Sequence, residues 1–265
     1  MTNQFPTSVV LCDVSPRDGL QNECKLIGTA DKIALAQRLI DAGMPRIEVT
    51  SFVSPKAIPQ MADAQEVMLG LQRKPGVELV VLVPNQKGAE RALACQPDEL
   101  NLVMSVTESH SRANLRMSPQ ESFEKLKEVV TATRDQVKLN VSLSCSFGCP
   151  FEGDVANEQV LHWVKAFAEV GVTGMSLCDT TGMAFPSQVR ELVGRVHDQS
   201  PDIRITLHFH NSRGLGLTNV FEGLRAGVQH YDACTGGIGG CPYAPGASGN
   251  ACMEDIVHAL HCEGI

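Results

Sequence analysis

Residues 9–23 read VVLCDVSPRDGLQNE, a short β-branched run followed by a turn that contains one glycine. In a doubly wound open sheet, the turn after the first strand tends to carry a glycine-rich phosphate motif. Here the turn carries Arg17 and Asp18 instead. The stretch therefore favours a barrel of alternating strands and helices over the open sheet.

Short β-branched runs alternate with longer amphipathic segments from one end of the chain to the other. Strands are predicted at 9–15, 46–52, 77–84, 99–107, 137–145, 174–181, 204–211 and 230–237. Helices are predicted near 30–42, 60–73, 87–95, 119–134, 157–170, 186–198, 216–226 and 251–262. Eight strand–helix units without a break in composition predict an α/β fold, a single (β/α)8 TIM barrel over residues 1–265.

Composition restricts the classes of partner. The net charge is −8 and no basic block interrupts it, which argues against binding to nucleic acid or to an anionic membrane. No run approaches the roughly 18 apolar residues that a membrane span needs. The amino terminus shows no secretion signal, so we expect a cytoplasmic location. The ten cysteines are scattered through the chain, as free thiols are in a reducing compartment.

Charged residues lie where the predicted strands end, and the chemistry of a barrel collects at those ends. Arg17 and Asp18 follow the first strand, Glu48 lies in the second and Asp179 lies near the end of the sixth. Glu48 and Asp179 can serve as salt-bridge partners for Arg17 or as groups that orient the ligands of a metal. Either role places them at the site.

The seventh strand contains the sequence HFH, which places two histidines on one face. Residues two apart in a strand point the same way, so His208 and His210 share a side while Phe209 faces the other. A lone strand histidine is more often a core residue than a ligand, but a pair at the end of a barrel strand favours the ligand role. With the carboxylate of Asp18 and the amide carbonyl of Asn250, these imidazoles predict a site for a divalent cation, Mg²⁺ or Mn²⁺.

The stretch DACTGGIGGCPYAPGASGN at 232–250 places Cys241 among six glycines. A buried structural thiol in a tight loop is one interpretation. The other is a cysteine that does chemistry on a closing loop, since glycines permit such movements. The composition favours the second, because a loop so rich in glycine has few side chains with which to bury a thiol.

The motifs SPRDGLQNE, IEVTSFVSPKAIPQM, SCSFGCPFEG, SLCDTTG, HFH and GGIGGCPYAPGASGN follow one another along the chain. Together they resemble the 3-hydroxy-3-methylglutaryl-CoA (HMG-CoA) lyase family. This family is one of the metal-dependent lyase barrels that also include isopropylmalate and homocitrate synthases. The segment GGCPYAPGASGN is the most specific of the motifs, because the related synthases generally lack the cysteine loop.

The resemblance implies a role for each matching residue. The metal ligands would be Asp18, His208, His210 and Asn250, the catalytic residues Arg17, Asp18, Glu48, Asp179 and Cys241, and the substrate contacts Arg17, Gln21, Ser51 and Thr180. The resemblance also implies an acyl-CoA thioester substrate, a homo-oligomer of the dimer type and a place in leucine catabolism.

The implied reaction cleaves the bond between C2 and C3 of HMG-CoA, or of a close 3-hydroxyacyl-CoA analogue, to acetyl-CoA and a keto acid. A metal on the C3 hydroxyl would lower its pKa, Arg17 would stabilise the enolate and a thiol could return a proton to carbon. Two alternatives stay open: a Claisen-type synthase of the same superfamily, and a metal- or acyl-CoA-binding protein without turnover. The cysteine loop counts against the first, and the complete set of site residues counts against the second.

The three residues that follow the histidine pair depart from the family pattern. Asp-Thr commonly follows the second histidine, whereas Asn211, Ser212 and Arg213 follow it here. The lost carboxylate and the added cation predict a preference for a substrate with a different or more negatively charged substituent at C3. Cys24 stands where many relatives have a lysine, which leaves the contact with the CoA phosphates open.

Overall fold

The computed structural model describes residues 5–240 and 249–265. Eight parallel strands pair in chain order and close into a barrel, with the last strand against the first. The strands are β1 (Val10–Asp13), β2 (Arg46–Ser51), β3 (Glu78–Val83), β4 (Glu99–Ser105), β5 (Lys138–Ser144), β6 (Gly174–Asp179), β7 (Arg204–Phe209) and β8 (His230–Ala233). The predicted (β/α)8 TIM barrel is confirmed.

Helices surround the barrel. Within the described part of the chain they are α1 (Thr29–Asp41), α2 (Ala64–Leu69), α3 (Gln86–Leu93), α4 (Glu108–Leu115), α5 (Pro119–Thr133), α6 (Asn157–Glu169), α7 (Pro186–Gln199), α8 (Gly216–Arg225) and α9 (Met253–Glu263). None of these helices combines the length and the apolar character needed to cross a membrane.

Two helices differ from the sequence prediction. Residues 59–61 form a separate 3-10 turn ahead of α2, where the Gln60 amide donates to the carbonyls of Glu23 (2.8 Å) and Lys25 (2.6 Å). These bonds hold the turn against the loop after β1 and shorten the predicted helix. Helix α4 is absent from the prediction, because its polar sequence ESHSRANL shows no apolar stripe.

The two faces of the strands carry different kinds of side chain. Outward-facing side chains such as Ile47, Val81 and Leu102 are buried between the strands and the helices, where they form the apolar core. Inward-facing side chains are largely polar, whereas barrels of this class are commonly filled with branched apolar residues. Hydrogen bonds and ion pairs therefore hold the interior of this barrel together.

Glu99 joins three strands at the amino-terminal end of the barrel. Its carboxylate oxygens accept from Arg46 on β2 (2.6 Å) and from Arg204 on β7 (2.7 Å), and Arg46 also pairs with Glu78 on β3. Glu99 is only 1% exposed, so its charge is paired away from water. This cluster closes the end of the barrel opposite to the carboxyl ends of the strands.

Replacement of Glu99 by glutamine is expected to lower the free energy of unfolding by about 3 kcal/mol, because Arg204 loses its carboxylate partner and the buried Arg46 keeps only Glu78. Glu108→Gln is the matched control, since Glu108 pairs with Arg112 on an exposed helix face. Such a pair contributes about 0.5 kcal/mol or less. Urea unfolding of both variants measures the difference, and equally small losses would show that the buried cluster does not stabilise the barrel.

Candidate active site

A tight turn after β1 carries the first two candidate residues. Residues Ser15–Gly19 form a single π-helical turn, in which the N–H groups of Arg17 and Asp18 donate to the carbonyl of Val14 (3.2 and 2.7 Å). The Asp13 carboxylate accepts from the first N–H of the turn (2.8 Å) and anchors it. Single π turns are frequent at functional sites. This turn brings both charged side chains over the carboxyl end of the barrel.

The guanidinium of Arg17 is clamped between two carboxylates. Its Nε donates to Glu48 Oε2 and its Nη1 donates to Asp18 Oδ1, both at 2.5 Å. Burial alone would lower the pKa of Arg17, but Glu48 and Asp18 outweigh that effect and raise the pKa. A permanent cation is thereby fixed at the barrel mouth, where it suits an oxygen that gains negative charge.

Asp18, His208 and His210 form a cluster that could hold a metal ion. One candidate ligand atom from each of them lies within 4.8 Å of those of the other two. The imidazole centroids are 5.3 Å apart, and His210 Nε2 lies 3.8 Å from Asp18 Oδ2. Phe209, between the two histidines, packs with its ring 5.7 Å from that of Phe147. The alternation of side chains along β7 therefore brings both imidazoles to the cluster.

Asn250 lies against this cluster and extends its donor set. It forms an antiparallel bridge with His210, and its Nδ2 donates to Asp18 Oδ2 (2.8 Å) and to the Ile238 carbonyl (3.1 Å). Asn250 Oδ1 and His210 Nδ1 are buried, and neither has a hydrogen-bond partner among the described residues. Such atoms usually have a partner, and a bound cation would supply one. Two imidazoles, a carboxylate and an amide oxygen fit a divalent cation such as Mg²⁺ or Mn²⁺.

The two histidines have different electrostatic environments. His208 Nδ1 lies 3.4 Å from Asp232 Oδ2, and although burial lowers the pKa of His208, Asp232 and Asp18 together raise it. Burial and the charge of His208 lower the pKa of His210 to about 4, so that His210 is neutral and competent as a ligand near pH 7. The net pKa of Asp18 lies well below its usual range, because Arg17 and both histidines outweigh its burial.

Asp232 is not among the residues predicted from the sequence. It pairs in register with His208 across β7 and β8. The alternation of side chains along β8, which points Asp232 into the barrel, is the sequence signal that could have identified it. A carboxylate on the second nitrogen of a ligand histidine fixes the orientation of the ring.

The other predicted residues lie around the same opening. Asp179 Oδ1 accepts from the Met183 N–H (2.6 Å), while its Oδ2 is buried without a partner in the described structure. Ser51 Oγ, at the end of β2, is likewise buried and unpaired within residues 5–240 and 249–265. Thr180 Oγ1 accepts from the Cys145 N–H (2.8 Å), so this hydroxyl also holds the loop after β5.

Two polar residues lie in the loops around this opening. Gln21 is half-buried just after the π-helical turn. Arg213 is exposed, and its Nη1 donates to the carbonyls of Thr181 (2.9 Å) and Gly182 (2.8 Å). Arg213 therefore ties the loop after β7 to the loop after β6, through backbone groups rather than through a carboxylate.

Both described ends of the glycine-rich segment lie at the cluster. Asn22 Nδ2 donates to the Gly240 carbonyl (2.8 Å), and a Cβ atom on Gly249 would lie 2.0 Å from the Gly239 oxygen. This close approach requires glycine at position 249 and brings the two ends together. Cys241, the predicted loop cysteine, lies outside the described residues.

The carboxyl group of Asp179 should make stability depend on pH. Burial raises the pKa of Asp179 to about 6, so the folded protein retains a proton that the unfolded chain has already released. In the metal-free protein, this group should reduce stability by about 2 kcal/mol as the pH rises from about 4 to about 6, out of about 3 kcal/mol over its whole titration. Asp179→Asn removes the titrating group and keeps an oxygen for the Met183 N–H.

Urea unfolding of the metal-free wild type and of Asp179→Asn at both ends of this pH range measures the effect. The variant should gain stability relative to the wild type as the pH rises. Asp198→Asn, which changes an exposed carboxylate, is the control and should show the same small difference at both pH values. An effect of Asp179→Asn that does not change with pH would contradict the assignment.

Known proteins are similar to this chain in sequence and in fold. The family model described as HMGL-like matches residues 8–265. The chain is 45% identical to hydroxymethylglutaryl-CoA lyase of Bacillus subtilis, over 97% of this chain and 86% of that protein. It is 39% identical to (R)-citramalyl-CoA lyase of Chloroflexus aurantiacus, over 97% and 85% of the two chains. A solved structure of an HMG-CoA lyase from Acinetobacter baumannii, in complex with coenzyme A and 3-methylmalate, superposes with a TM-score of 0.94 at 45% identity, over 98% of this chain and 85% of that one. The resemblance found in the motifs is confirmed, and the chain belongs to the HMGL-like family.

Proposed function

We propose that this protein is a divalent-metal-dependent carbon–carbon lyase that cleaves HMG-CoA, or a close 3-hydroxyacyl-CoA analogue, to acetyl-CoA and a keto acid. The observation that carries the proposal is the buried Arg17 cation, which lies 2.5 Å from a carboxylate of the candidate metal cluster. A cation and a metal site at one barrel mouth suit a reaction in which charge develops on two oxygens. The lyase names of relatives that are 39% and 45% identical support the same reaction.

The reaction moves protons and breaks one carbon–carbon bond. A base takes the proton of the C3 hydroxyl, the C3 oxygen becomes a ketone, and the electron pair of the C2–C3 bond passes to the thioester enolate. The enolate then takes a proton at C2. When bound, a divalent cation would lower the pKa of the hydroxyl. Arg17 is suited to stabilise the enolate oxygen as its charge grows, because its guanidinium stays charged and donates in a fixed plane.

The remaining site residues receive roles that agree with their surroundings. Asp179, whose pKa is raised to about 6, is suited to take the hydroxyl proton. Glu48 holds Arg17 in place. We assign the final proton to Cys241, because the described ends of its loop lie at the cluster and a loop that excludes water protects an enolate. Contacts with the substrate fall to Gln21, Ser51 and Thr180, together with Arg17.

The residues that follow His210 depart from the family pattern, and we infer that this departure affects which substituent is preferred at C3 of the substrate. The exposed Arg213 is held by backbone carbonyls, and no carboxylate in the described structure pairs with it. The Chloroflexus relative is named for citramalyl-CoA, and the Acinetobacter complex contains 3-methylmalate. We therefore infer that an analogue with a different or more negatively charged C3 substituent is a better substrate than HMG-CoA.

The two alternative functions are less well supported. A Claisen-type synthase would run the bond change in the opposite direction, whereas the relatives quoted above are named as lyases. A binding protein without turnover would not need a buried cation at the metal cluster. Cleavage therefore remains the proposal.

Three further properties complete the proposal. We infer Mg²⁺ or Mn²⁺ as the cation, because the donors that residues 5–240 and 249–265 offer are nitrogen and oxygen atoms, without a thiolate among them. A homodimer and a role in leucine catabolism follow from the family alone. A cytoplasmic location is inferred from the bacterial relative.

A panel of 3-hydroxyacyl-CoA thioesters tests the proposed function. Protein loaded with Mg²⁺ or Mn²⁺ should release acetyl-CoA from HMG-CoA, and faster from at least one analogue with another C3 substituent. Chelation should abolish the release and added cation should restore it. The change Arg213→Tyr should alter the ranking of the substrates. Release of acetyl-CoA from no member of the panel would overturn the lyase proposal, and an unchanged ranking would overturn the role of Arg213 alone.

Arg17→Gln tests the catalytic cation. It should lower kcat by at least about 100-fold, the scale of losing one strong charge-stabilising donor, with a smaller change in KM. Arg195→Gln is the control, because Arg195 pairs with Glu158 between two outer helices, and it should leave kcat unchanged. Steady-state kinetics measure the effect. An increase in KM with kcat unchanged would show that Arg17 binds substrate without acting on the transition state.

A further inference from the structure

Asn101 is a polar residue in the middle of the barrel, and only 5% of its surface is exposed. No step assigned above uses it. Its Nδ2 donates to Glu48 Oε1 at 2.7 Å. Its Oδ1 accepts from Ser142 Oγ at 2.9 Å and from Asn140 Nδ2 at 3.0 Å. Asn101 therefore links the Glu48 carboxylate, which holds Arg17, to two side chains of strand β5.

The direction of these hydrogen bonds is set by a residue that can only donate. Arg204 has no acceptor atom, so the amide atom of Asn140 that faces it, at 3.4 Å, is the oxygen. Asn140 then presents its Nδ2 to Asn101 and to Ser176 Oγ (2.9 Å). It follows that Asn101 turns its oxygen towards Asn140 and its N–H towards Glu48.

Glu48 receives a donor on each of its oxygens. Arg17 Nε donates to Oε2, and Asn101 Nδ2 donates to Oε1. A carboxylate held from both sides cannot rotate without losing a hydrogen bond to a charged group, which is among the stronger kinds. Glu48 in turn holds the guanidinium of Arg17. The orientation of Asn101 therefore affects the position of the catalytic cation through the Glu48 carboxylate.

We propose that Asn101 is a positioning residue that locks Glu48 in the rotamer from which it orients Arg17. The inference rests on the proposed function, since it acts through the role of Arg17 in catalysis. A residue that only stabilised the barrel would affect turnover equally whether or not Arg17 is present. A positioning residue loses its effect on turnover when the group that it positions is removed.

A double-mutant cycle separates these two cases. Asn101→Leu removes the donor to Glu48 at similar size and should lower kcat by about 10- to 100-fold, the scale of one hydrogen bond to a charged group, with KM within about 3-fold. In the Arg17→Gln background, the same change should lower kcat by less than about 3-fold, since residues that act as one unit are not additive. Equal losses in both backgrounds would overturn the proposal.

A second variant guards against misfolding. Asn101→Leu leaves Asn140 Nδ2 and Ser142 Oγ without their acceptor, whereas Asn101→Asp keeps an oxygen for both and replaces the donor to Glu48 by a carboxylate oxygen that repels it. Asn101→Asp should lower kcat at least as much as Asn101→Leu, and again only when Arg17 is present. Ser176→Ala is the matched control, because it removes a different partner of Asn140, and it should keep kcat within about 3-fold of the wild type.

A spectroscopic measurement reports on position without turnover. In protein labelled with ¹⁵N-arginine, the Arg17 Nε–H should be protected from exchange by its bond to Glu48, and Asn101→Leu should remove that protection. Retained protection would overturn the proposal. The kinetic outcomes also distinguish the two hypotheses. If Arg17→Gln leaves kcat intact, the proposed role of Arg17 fails. If Arg17→Gln lowers kcat while Asn101→Leu does not, only the role of Asn101 fails.

Discussion

The burial of one cation, the guanidinium of Arg17, is the constraint on which the rest of the site depends. A buried charge is tolerated only when opposite charges and hydrogen bonds compensate it. Arg17 obtains this compensation from Glu48 on the second strand and from Asp18 in its own turn. Because Asp18 also belongs to the candidate metal cluster, the cation and the metal site are built from shared parts.

The polar interior of the barrel follows from this constraint. Branched apolar side chains would fill the space equally well, but they could not orient a carboxylate. In this chain, Arg204 donates to Asn140, Asn140 donates to Asn101 and Asn101 donates to Glu48, so each hydrogen bond fixes the direction of the next. Buried polar networks give specificity of orientation at some expense of stability. The apolar core between strands and helices supplies that stability by burying the outer face of the barrel.

Features with a local period could be predicted from the sequence. The alternation of runs predicted the eight strands and the barrel, and the spacing of two between His208 and His210 placed both imidazoles at the site. The start of helix α5 is also encoded locally, because Ser118 and Glu121, three positions apart in the sequence, form a capping box.

Features that depend on contacts distant in the chain could not be predicted in this way. Asp232 matters because it pairs with His208 across two strands, and Asn101 matters because it meets Glu48, which is 53 positions away. The alternation within a strand can place such a side chain inside the barrel, but it does not identify the partner that the side chain contacts. The π-helical turn at Ser15–Gly19 was also missed, because π turns have no simple periodic signature.

The central claim is that a metal and the Arg17 cation act side by side, joined through Asp18. Crystals of the protein loaded with Mn²⁺ and an enolate-like substrate analogue allow both to be located, since anomalous diffraction at the manganese edge identifies the ion. We predict a single manganese peak bound by Asp18, His208, His210 and Asn250, with Arg17 still hydrogen-bonded to Glu48 and facing the thioester oxygen of the analogue. A peak away from these residues, or a guanidinium turned away from Glu48, would contradict the claim.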